Sequence, residues 1–378
     1  MLLPTVADPD LRHALALALD AAARGAADPG ELAATAARVP DDDPDAWVLE
    51  WMATAGAAWT EANAGARDRH LHAATYYAVA LAAVERSSEP ERHPDISRRQ
   101  RTCWDHAVAR MDPPGVRLAL PYAGTTVPAW FFPAPGAAPG ERRATVIVTD
   151  GGDGPASRAW QLGGAAAAAR GCHWTTFEGP GQAAALVALL TAVVDALLAR
   201  DDVDAGRLAV IGTGSAGGWV PRALAFEHRL AAAVADPGVV DVSARWRAAL
   251  PAPLRDALRR GDRDAFAREL HLASLFSPPA GERLRRLAAL HDATAPFRLG
   301  DEVARITTPL LITDPVDEPF WPGQSRELFD RLPGPKRLVR VGPADRDDRV
   351  FDWLDHRWKS LSPGIDSDGP CPAPPHGR

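Results

Sequence analysis

Cysteine is scarce in this chain of 378 residues. Only three cysteines occur, Cys103, Cys172 and Cys371, and they are widely spaced. An odd number of distant cysteines supports neither a disulfide framework nor a zinc site. The first residues lack a basic segment followed by an apolar one, so no signal peptide is predicted. These absences favour the reducing cytoplasm and predict no metal.

A long uninterrupted apolar run is missing as well. The most apolar stretch, residues 183–199, contains Asp195 and is followed by charged residues, which indicates a buried helix rather than a membrane span. The net charge of -7 leaves no basic excess to neutralise nucleic-acid phosphates or anionic lipids. We therefore expect neither a nucleic-acid nor a membrane partner. Hydrophobic residues at 46% and charged residues at 24% are typical of a globular protein.

The first 112 residues predict helices and no strands. Apolar residues recur at helical spacing and are interrupted by Asp, Pro and Gly. The helical segments are 10–25, 30–39, 45–64 and 67–87. Tryptophans are frequent here, and we expect them to pack between helices: Trp47, Trp51, Trp59 and Trp104. We interpret residues 1–112 as a helical cap domain.

From Gly115 the pattern changes to strands that alternate with helices. The first two strand segments, 116–122 and 127–132, predict a hairpin. Further strands are predicted at 144–149, 174–178, 207–211, 231–235, 309–313 and 337–341, and helices at 156–170, 183–200, 219–227, 323–332 and 349–358. This alternation is typical of an α/β fold with a parallel sheet covered on both faces.

The alternation defines a core domain over 113–360. Within it, residues 242–300 predict only helices and are interpreted as an insertion. Residues 361–378 are rich in Pro, Gly, Ser and Asp and predict a disordered tail.

Several short segments resemble one branch of the α/β-hydrolases. They are YAGTTVP at 122–128, DGGDG at 150–154, EGPGQ at 178–182, PRALAFEHR at 221–229, ADPG at 235–238, DE at 317–318 with PGQ at 322–324, and FDWL at 351–354. This branch includes fermentation/respiration-switch-like proteins, pseudooxynicotine-type C–C hydrolases and fungal polyketide-shortening hydrolases. The resemblance covers nearly the whole chain. It implies an α/β-hydrolase fold with an N-terminal helical cap, a site between cap and sheet, and a small organic substrate.

Active members of this superfamily place a serine at a sharp strand-to-helix turn within G-x-S-x-G. The matching segment reads IGTGSAGGW. If Ser215 is the nucleophile, the β-branched Thr213 falls where strand and helix pass closely. If Gly214 takes the nucleophile position, the small residues Gly212 and Ala216 flank it, and glycine tolerates the positive φ of the turn. We favour the second frame, which leaves no hydroxyl at the nucleophile position.

The resemblance also implies an aspartate and a histidine later in the chain. Asp317 follows a predicted strand and matches the aspartate, although Asp-Glu at a strand end is also a common turn and helix cap. The loop 341–349, where relatives carry the histidine, contains none, and His356 and His376 lie in the final helix and the tail. The triad is therefore predicted to be degenerate. Removing a whole triad costs about a million-fold in rate.

A pocket is still expected. Backbone amides around Gly151 and after Gly214 are candidates to bind an anion or a carbonyl oxygen. The predicted catalytic residues are Asp317, Ser215 and Asp153, and the predicted substrate-binding residues are Gly152, Gly214, Trp160, Trp219, Trp321 and His291. Glu178 is a further candidate for proton transfer. Convergence of the three tryptophans predicts an aromatic wall for a conjugated or polycyclic substrate, whereas each alone fits a core residue and His291 alone fits a structural histidine.

The same turn also satisfies a competing motif. GTGSAG at 212–217 matches G-x-G-x-x-G after a strand and before a helix, with Asp236 at the end of the next strand, as in dinucleotide-binding proteins. The hydrolase-like segments on both sides explain these residues without a cofactor. We therefore predict no cofactor.

Three functions follow from this interpretation. The first is a tailoring enzyme for a small, secondary-metabolite or polyketide-like molecule that catalyses a non-hydrolytic step such as cyclisation, dehydration or rearrangement. The second is a residual serine hydrolase or C–C hydrolase that uses Ser215. The third is a non-catalytic ligand-binding protein. Each has an apolar or aromatic small molecule as its partner, and the sequence leaves open whether two copies form a homodimer.

Overall fold

The N-terminal part of the chain is helical. The computed structural model describes residues 6, 8–40, 43–62, 67–151, 154–179, 183–276 and 278–361. The helices before the first strand are α1 (Pro9–Ala23), α2 (Pro29–Ala36), α3 (Pro44–Glu61), α4 (Arg67–Val84) and α5 (His93–Val108). Helices α1 to α3 begin alike, because an aspartate side chain caps the first amides and a proline follows it. These Asp-Pro pairs explain where the helices start.

The helices are followed by a mixed sheet. Its strands are β1 (Val116–Tyr122), β2 (Thr125–Phe132), β3 (Arg143–Thr149), β4 (His173–Phe177), β5 (Val203–Thr213), β6 (Ala232–Asp236), β7 (Leu310–Pro315) and β8 (Lys336–Val341). Within the described residues the strand order is β1-β2-β4-β3-β5-β6-β7-β8. Strand β2 pairs antiparallel with β1 and β4, and the other pairs are parallel. The predicted hairpin and largely parallel sheet are confirmed.

Helices connect the strands. They are α6 (Ala165–Ala169), α7 (Ala183–Leu198), α8 (Ala216–Leu224), α9 (Ser243–Ala249), α10 (Ala252–Arg260), α11 (Arg263–Phe276), α12 (Pro278–Thr294), α13 (Gln324–Arg331) and α14 (Arg346–Leu361). Helices α9 to α12 lie in the predicted insertion. The predicted tail lies outside the described residues, apart from Leu361 at the end of α14.

One predicted helix is broken. The prediction of a continuous helix over 156–170 was wrong, because the segment forms a short 3-10 helix (Ala156–Arg158), a π-helical turn (Trp160–Gly164) and then α6. Gly163 has a φ of 155° inside this segment, which ordinary side chains rarely adopt. The chain therefore kinks before α6.

The two faces of the sheet carry separate hydrophobic cores. Alternate residues of one strand show this, since Val146 belongs to the cluster that includes the N-terminal helices and Ile147 to the cluster that includes α7, α8 and α13. The N-terminal helices contact the sheet directly. Trp104 of α5 packs 6.2 Å from the Trp130 ring and 5.7 Å from the Phe132 ring, measured between centroids. This packing holds α1 to α5 on one face of the sheet.

Candidate functional site

The strand-to-helix turn between β5 and α8 has Gly214 at its apex. Gly214 has a φ of +59°, and a Cβ built on it would meet nothing within 4 Å. A Cβ on Gly212 would lie 2.6 Å from the carbonyl oxygen of Ala216. The backbones of β5 and α8 therefore pass in contact at Gly212 and Ala216, and only small residues fit at these two positions. The Gly214 amide donates to the carbonyl oxygen of Asp236 at 2.8 Å.

Ser215 is buried beneath the loop that follows β3. Its side chain is 3% exposed, and its Oγ donates to the carbonyl oxygen of Asp150 at 3.2 Å. Gly151 covers it, with a φ of +85°, and a Cβ there would lie 2.8 Å from the Ser215 Oγ. The Gly151 amide donates to Thr149 Oγ1 at 3.1 Å. Gly152 and Asp153, predicted for this loop, lie outside the described residues.

The loop after β7 carries two carboxylates that differ in their exposure to solvent. Asp317 is exposed in the turn. Glu318 is half-buried and accepts hydrogen bonds from the amides of Phe320 at 2.8 Å and Trp321 at 3.0 Å. Burial raises the pKa of Glu318, and the nearby Asp236 carboxylate adds to this. The backbone fixes Glu318, whereas Asp317 faces solvent.

The loop after β8 contributes a buried cation. The Arg346 side chain is 12% exposed, and its Nε donates to Asp236 Oδ2 at 2.8 Å. Its Nη1 donates to the Leu162 carbonyl oxygen at 2.8 Å and to Asp347 Oδ1 at 2.6 Å. Although burial opposes the charge, Asp236 and Asp347 raise the pKa of Arg346 above its ordinary value. This guanidinium is a permanent cation and cannot accept a proton.

The same network reaches the N-terminal helices. Asp347 forms an ion pair with Arg24 at 2.6 Å, at the C-terminal end of α1. The carbonyl oxygen of Arg24 accepts the indole N–H of Trp160 at 3.0 Å. Burial alone would raise the pKa of Asp347, but Arg346 and Arg24 hold it below its ordinary value. We call Arg24, Asp236, Arg346 and Asp347 the buried charge network.

The three predicted tryptophans do not form one wall. Trp160 is half-buried against the hydrophobic cluster that includes the N-terminal helices. Trp219 and Trp321 belong to the cluster on the opposite face of the sheet. Trp219 lies beside Gly151, whose added Cβ would be 2.8 Å from the indole Cδ1. The indole of Trp321 donates to the Val242 carbonyl oxygen at 3.2 Å.

Two further predicted residues have local or structural contacts. His291 lies in α12, with its Nδ1 3.2 Å from the carboxylate of its neighbour Asp292. Glu178 accepts a hydrogen bond from Arg101 of α5 and so links β4 to the N-terminal helices. Neither contact joins these side chains to the turn at Gly214.

The structure brings one titratable residue to the site that the sequence analysis missed. His13 of α1 lies edge-on to Phe320, with ring centroids 5.1 Å apart, next to the loop that carries Asp317 and Glu318. Its side chain is accessible to solvent, yet nearby protein atoms crowd it. This crowding, followed by the charges of Arg158 and Arg245, lowers the pKa of His13 to about 4. Local sequence carried no signal for it.

The glycine motif has a structural explanation. A Cβ on Gly217 would lie 1.8 Å from the Pro237 carbonyl oxygen, so α8 needs glycine to pack against the loop after β6. The Asp236 carboxylate, which a dinucleotide ribose would require, is bound by Arg346 and by the Thr313 hydroxyl. Across the described residues, no cluster of His, Cys, Asp and Glu could hold a metal ion. None of the described helices is both long and apolar enough to cross a membrane.

Curated proteins similar to this chain are fungal hydrolases, and no family model matches it. The chain is 28% identical over 250 residues to the hydrolase LUC6 of Fusarium sp, covering 60% of this chain and 59% of that protein. It is 26% identical over 250 residues to the 20-hydroxy-prefusarin hydrolase FUS2 of Gibberella moniliformis, with the same coverage. The hydrolase acrC of Aspergillus aculeatus is 28% identical over 271 residues, 62% of each chain. The chain thus spans about three fifths of the length of these relatives.

Solved structures resemble the chain over most of its length. The 2,6-dihydroxy-pseudo-oxynicotine hydrolase superposes with a TM-score of 0.65 at 18% identity, covering 91% of this chain and 96% of that one. Wild-type AbyA5 superposes with a TM-score of 0.59 at 20% identity, covering 93% and 99%. Identities this low establish the fold alone. The chain therefore has the α/β-hydrolase fold with an N-terminal helical region, and about three fifths of it is similar in sequence to fungal hydrolases.

Proposed function

We propose that the protein is a hydrolase-type enzyme that acts on a small organic molecule and forms no acyl-enzyme on serine. The main support for this proposal is the conformation of Gly214. Its φ of +59° and its open Cβ direction fit the position of a serine nucleophile. The close approach of Gly212 to Ala216 supports Gly214 as the nucleophile position, because both flanking residues lie where the motif requires small side chains. The names of the fungal relatives support hydrolysis as the reaction type.

In the proposed reaction, a water molecule occupies the space that a side-chain hydroxyl would fill. The N-terminal end of α8 carries the positive end of the helix dipole and stabilises the developing oxyanion. Asp317 and Glu318, on the loop after β7, are the proposed carboxylates for proton transfer or for orienting the base. Asp153 and Gly152 remain proposed contributors from the loop after β3.

A non-hydrolytic step is the second proposed function. A cyclisation, dehydration or rearrangement needs proton transfer and orientation but no covalent attachment. The same observation at Gly214 favours it, because a bare backbone offers nothing for acyl transfer. The residual hydrolase that uses Ser215 is less well supported, since the Ser215 Oγ donates to the Asp150 carbonyl oxygen.

The test combines ester turnover with a covalent serine probe. We expect the protein to hydrolyse members of a p-nitrophenyl ester series (acetate, butyrate, octanoate), to keep this activity in Ser215→Ala, and to resist labelling by a fluorophosphonate. Gly214→Ala places a methyl group in the proposed water position and should lower kcat at least about tenfold. Labelling of Ser215, with loss of turnover in Ser215→Ala, would establish the serine hydrolase instead.

The chain offers a matched control for the glycine variant. Gly124, in the turn between β1 and β2, has a φ of +77°, and a Cβ there also meets nothing within 4 Å. Gly124→Ala therefore carries a similar backbone strain of about 1 kcal/mol. We expect both variants to lose similar stability and only Gly214→Ala to lose activity. Equal activity in the two variants would contradict the proposed water position.

A further inference from the structure

One face of helix α1 packs into the protein, and another face is exposed beside the loop after β7. Leu11, Leu15 and Ala18 are each at most 3% exposed and pack into the hydrophobic cluster of the N-terminal helices. His13 lies off this face and is exposed.

Helix α1, helix α9 and the loop after β7 come together around Phe320, which lies beside the His13 ring. The ring centroid lies 5.1 Å from that of Phe320, at an interplanar angle of 84°. The Arg245 guanidinium of α9 lies 4.0 Å from the same Phe320 ring and 3.6 Å from the carboxylate of Asp10. Phe320 is adjacent to Trp321 and two residues after Glu318, so the imidazole stands beside the loop where the resemblance implies the triad aspartate.

The loop after β3 is connected to the group of His13, Phe320 and Arg245 through Arg158. Arg158, on the 3-10 helix after the β3 loop, influences His13 electrostatically and lies 3.9 Å from the Asp150 carboxylate. The carbonyl oxygen of Asp150 accepts the Ser215 hydroxyl at 3.2 Å. Hydrogen bonding and charge therefore link the turn at Gly214 to Arg158, whose positive charge acts on His13.

Crowding by protein atoms, followed by the surrounding charges, lowers the pKa of His13 and keeps the imidazole neutral. Arg158 and Arg245 disfavour a second positive charge, and Asp10 on the same helix favours it. The neighbouring loop adds two carboxylates, the exposed Asp317 and the half-buried Glu318. Crowding and the two cations outweigh Asp10, so at neutral pH the ring is a proton acceptor rather than an imidazolium.

We infer that His13 is the general base of the proposed site, supplied by the N-terminal helices in place of the histidine that the loop after β8 lacks. This inference rests on the proposed function. His13 accepts a proton from the attacking water while the water oxygen bonds to the substrate carbonyl carbon. It then returns that proton to the leaving oxygen as the scissile C–O bond breaks, so that ester and water become acid and alcohol.

The experiment compares His13→Gln with the control His228→Gln on the p-nitrophenyl ester that the wild type turns over fastest. His228 is an exposed histidine between α8 and β6. We expect His13→Gln to lower kcat about 100-fold with KM nearly unchanged, and His228→Gln to match the wild type. The wild-type kcat/KM, which reports ionisation of the free protein, should stay constant above about pH 5 and fall as the pH drops through about 4. His13→Gln should lack this step.

A second measurement does not depend on turnover. Trifluoroacetophenone, an aromatic ketone that hydrates readily, is added to protein whose histidine Cε1–H signals are followed by NMR. We expect the His13 signal to shift and the His228 signal to stay in place. If esters are turned over and His13→Gln retains full kcat, His13 is not the base although the proposed function stands. If no ester is turned over but the His13 signal shifts, the proposed hydrolysis fails, and the position of His13 beside the bound ketone is supported. If the His13 signal stays in place, the inference is overturned.

Discussion

Arg346→Met tests whether the buried charge network holds the fold together. The change removes hydrogen bonds to Asp236 Oδ2 at 2.8 Å, to the Leu162 carbonyl oxygen at 2.8 Å and to Asp347 Oδ1 at 2.6 Å. It also leaves the Asp236 carboxylate, whose side chain is 13% exposed, without its cation. Stranding one partner of a buried ion pair costs about 3–5 kcal/mol. Because Asp347 keeps its ion pair with Arg24, we expect a loss near the lower end, about 3 kcal/mol.

The measurement is unfolding in guanidinium chloride, followed by the fluorescence of the 12 tryptophans. A matched control is Arg259→Met, since Arg259 pairs with Asp256 at 2.6 Å but both side chains are exposed, at 75% and 46%. Removing such a surface pair costs no more than about 1 kcal/mol. If Arg346→Met loses no more stability than Arg259→Met, the network does not stabilise the fold and the reasoning is refuted.

Two further changes test the packing and the charge of the same region. Gly217→Ala should destabilise the protein by at least about 1–3 kcal/mol in thermal unfolding, because its Cβ would lie 1.8 Å from the Pro237 carbonyl oxygen and overlap it. The control is Gly56→Ala, since Gly56 lies in open space within α3. That change should be neutral or stabilising. Equal effects of the two would contradict the close contact. Asp347→Asn should lower the free energy of unfolding at pH 7. The pKa of Asp347 is lowered in the folded protein, so its charge contributes stability that disappears as the pH falls through that pKa. The difference in stability from the wild type should therefore shrink below about pH 4. A difference that does not change with pH would contradict the ion pairs.

Much of the fold could be predicted from periodicity. The hairpin, the alternation of strands and helices and the N-terminal helical region follow from patterns within about ten to twenty residues, and the structure confirms them. The helix predicted over 156–170 failed because its alanine-rich sequence favours a helix locally, while Gly163 has a backbone conformation set by packing on the sheet.

The site was predictable only in part. The glycine-rich turn can be read from sequence because the chemistry of that turn is local. The partner of each charged side chain is not local, since Asp236 pairs with Arg346, 110 positions away, and Arg24 with Asp347, 323 positions away. His13 belongs to α1, far in sequence from the turn at Gly214 and from Asp317, so no local pattern indicated it.

Except over 156–170, the amino-acid sequence by itself determined which segments form helices and strands and where a small-residue turn must interrupt them, because hydrophobic period and glycine conformation act over a few residues. Only the tertiary structure decided that Arg346 is buried between two carboxylates, that Ser215 lies under Gly151, and that α1 brings an imidazole to the loop after β7. These arrangements depend on burial and on charges from distant segments, which exist only once the sheet and its helices have packed together.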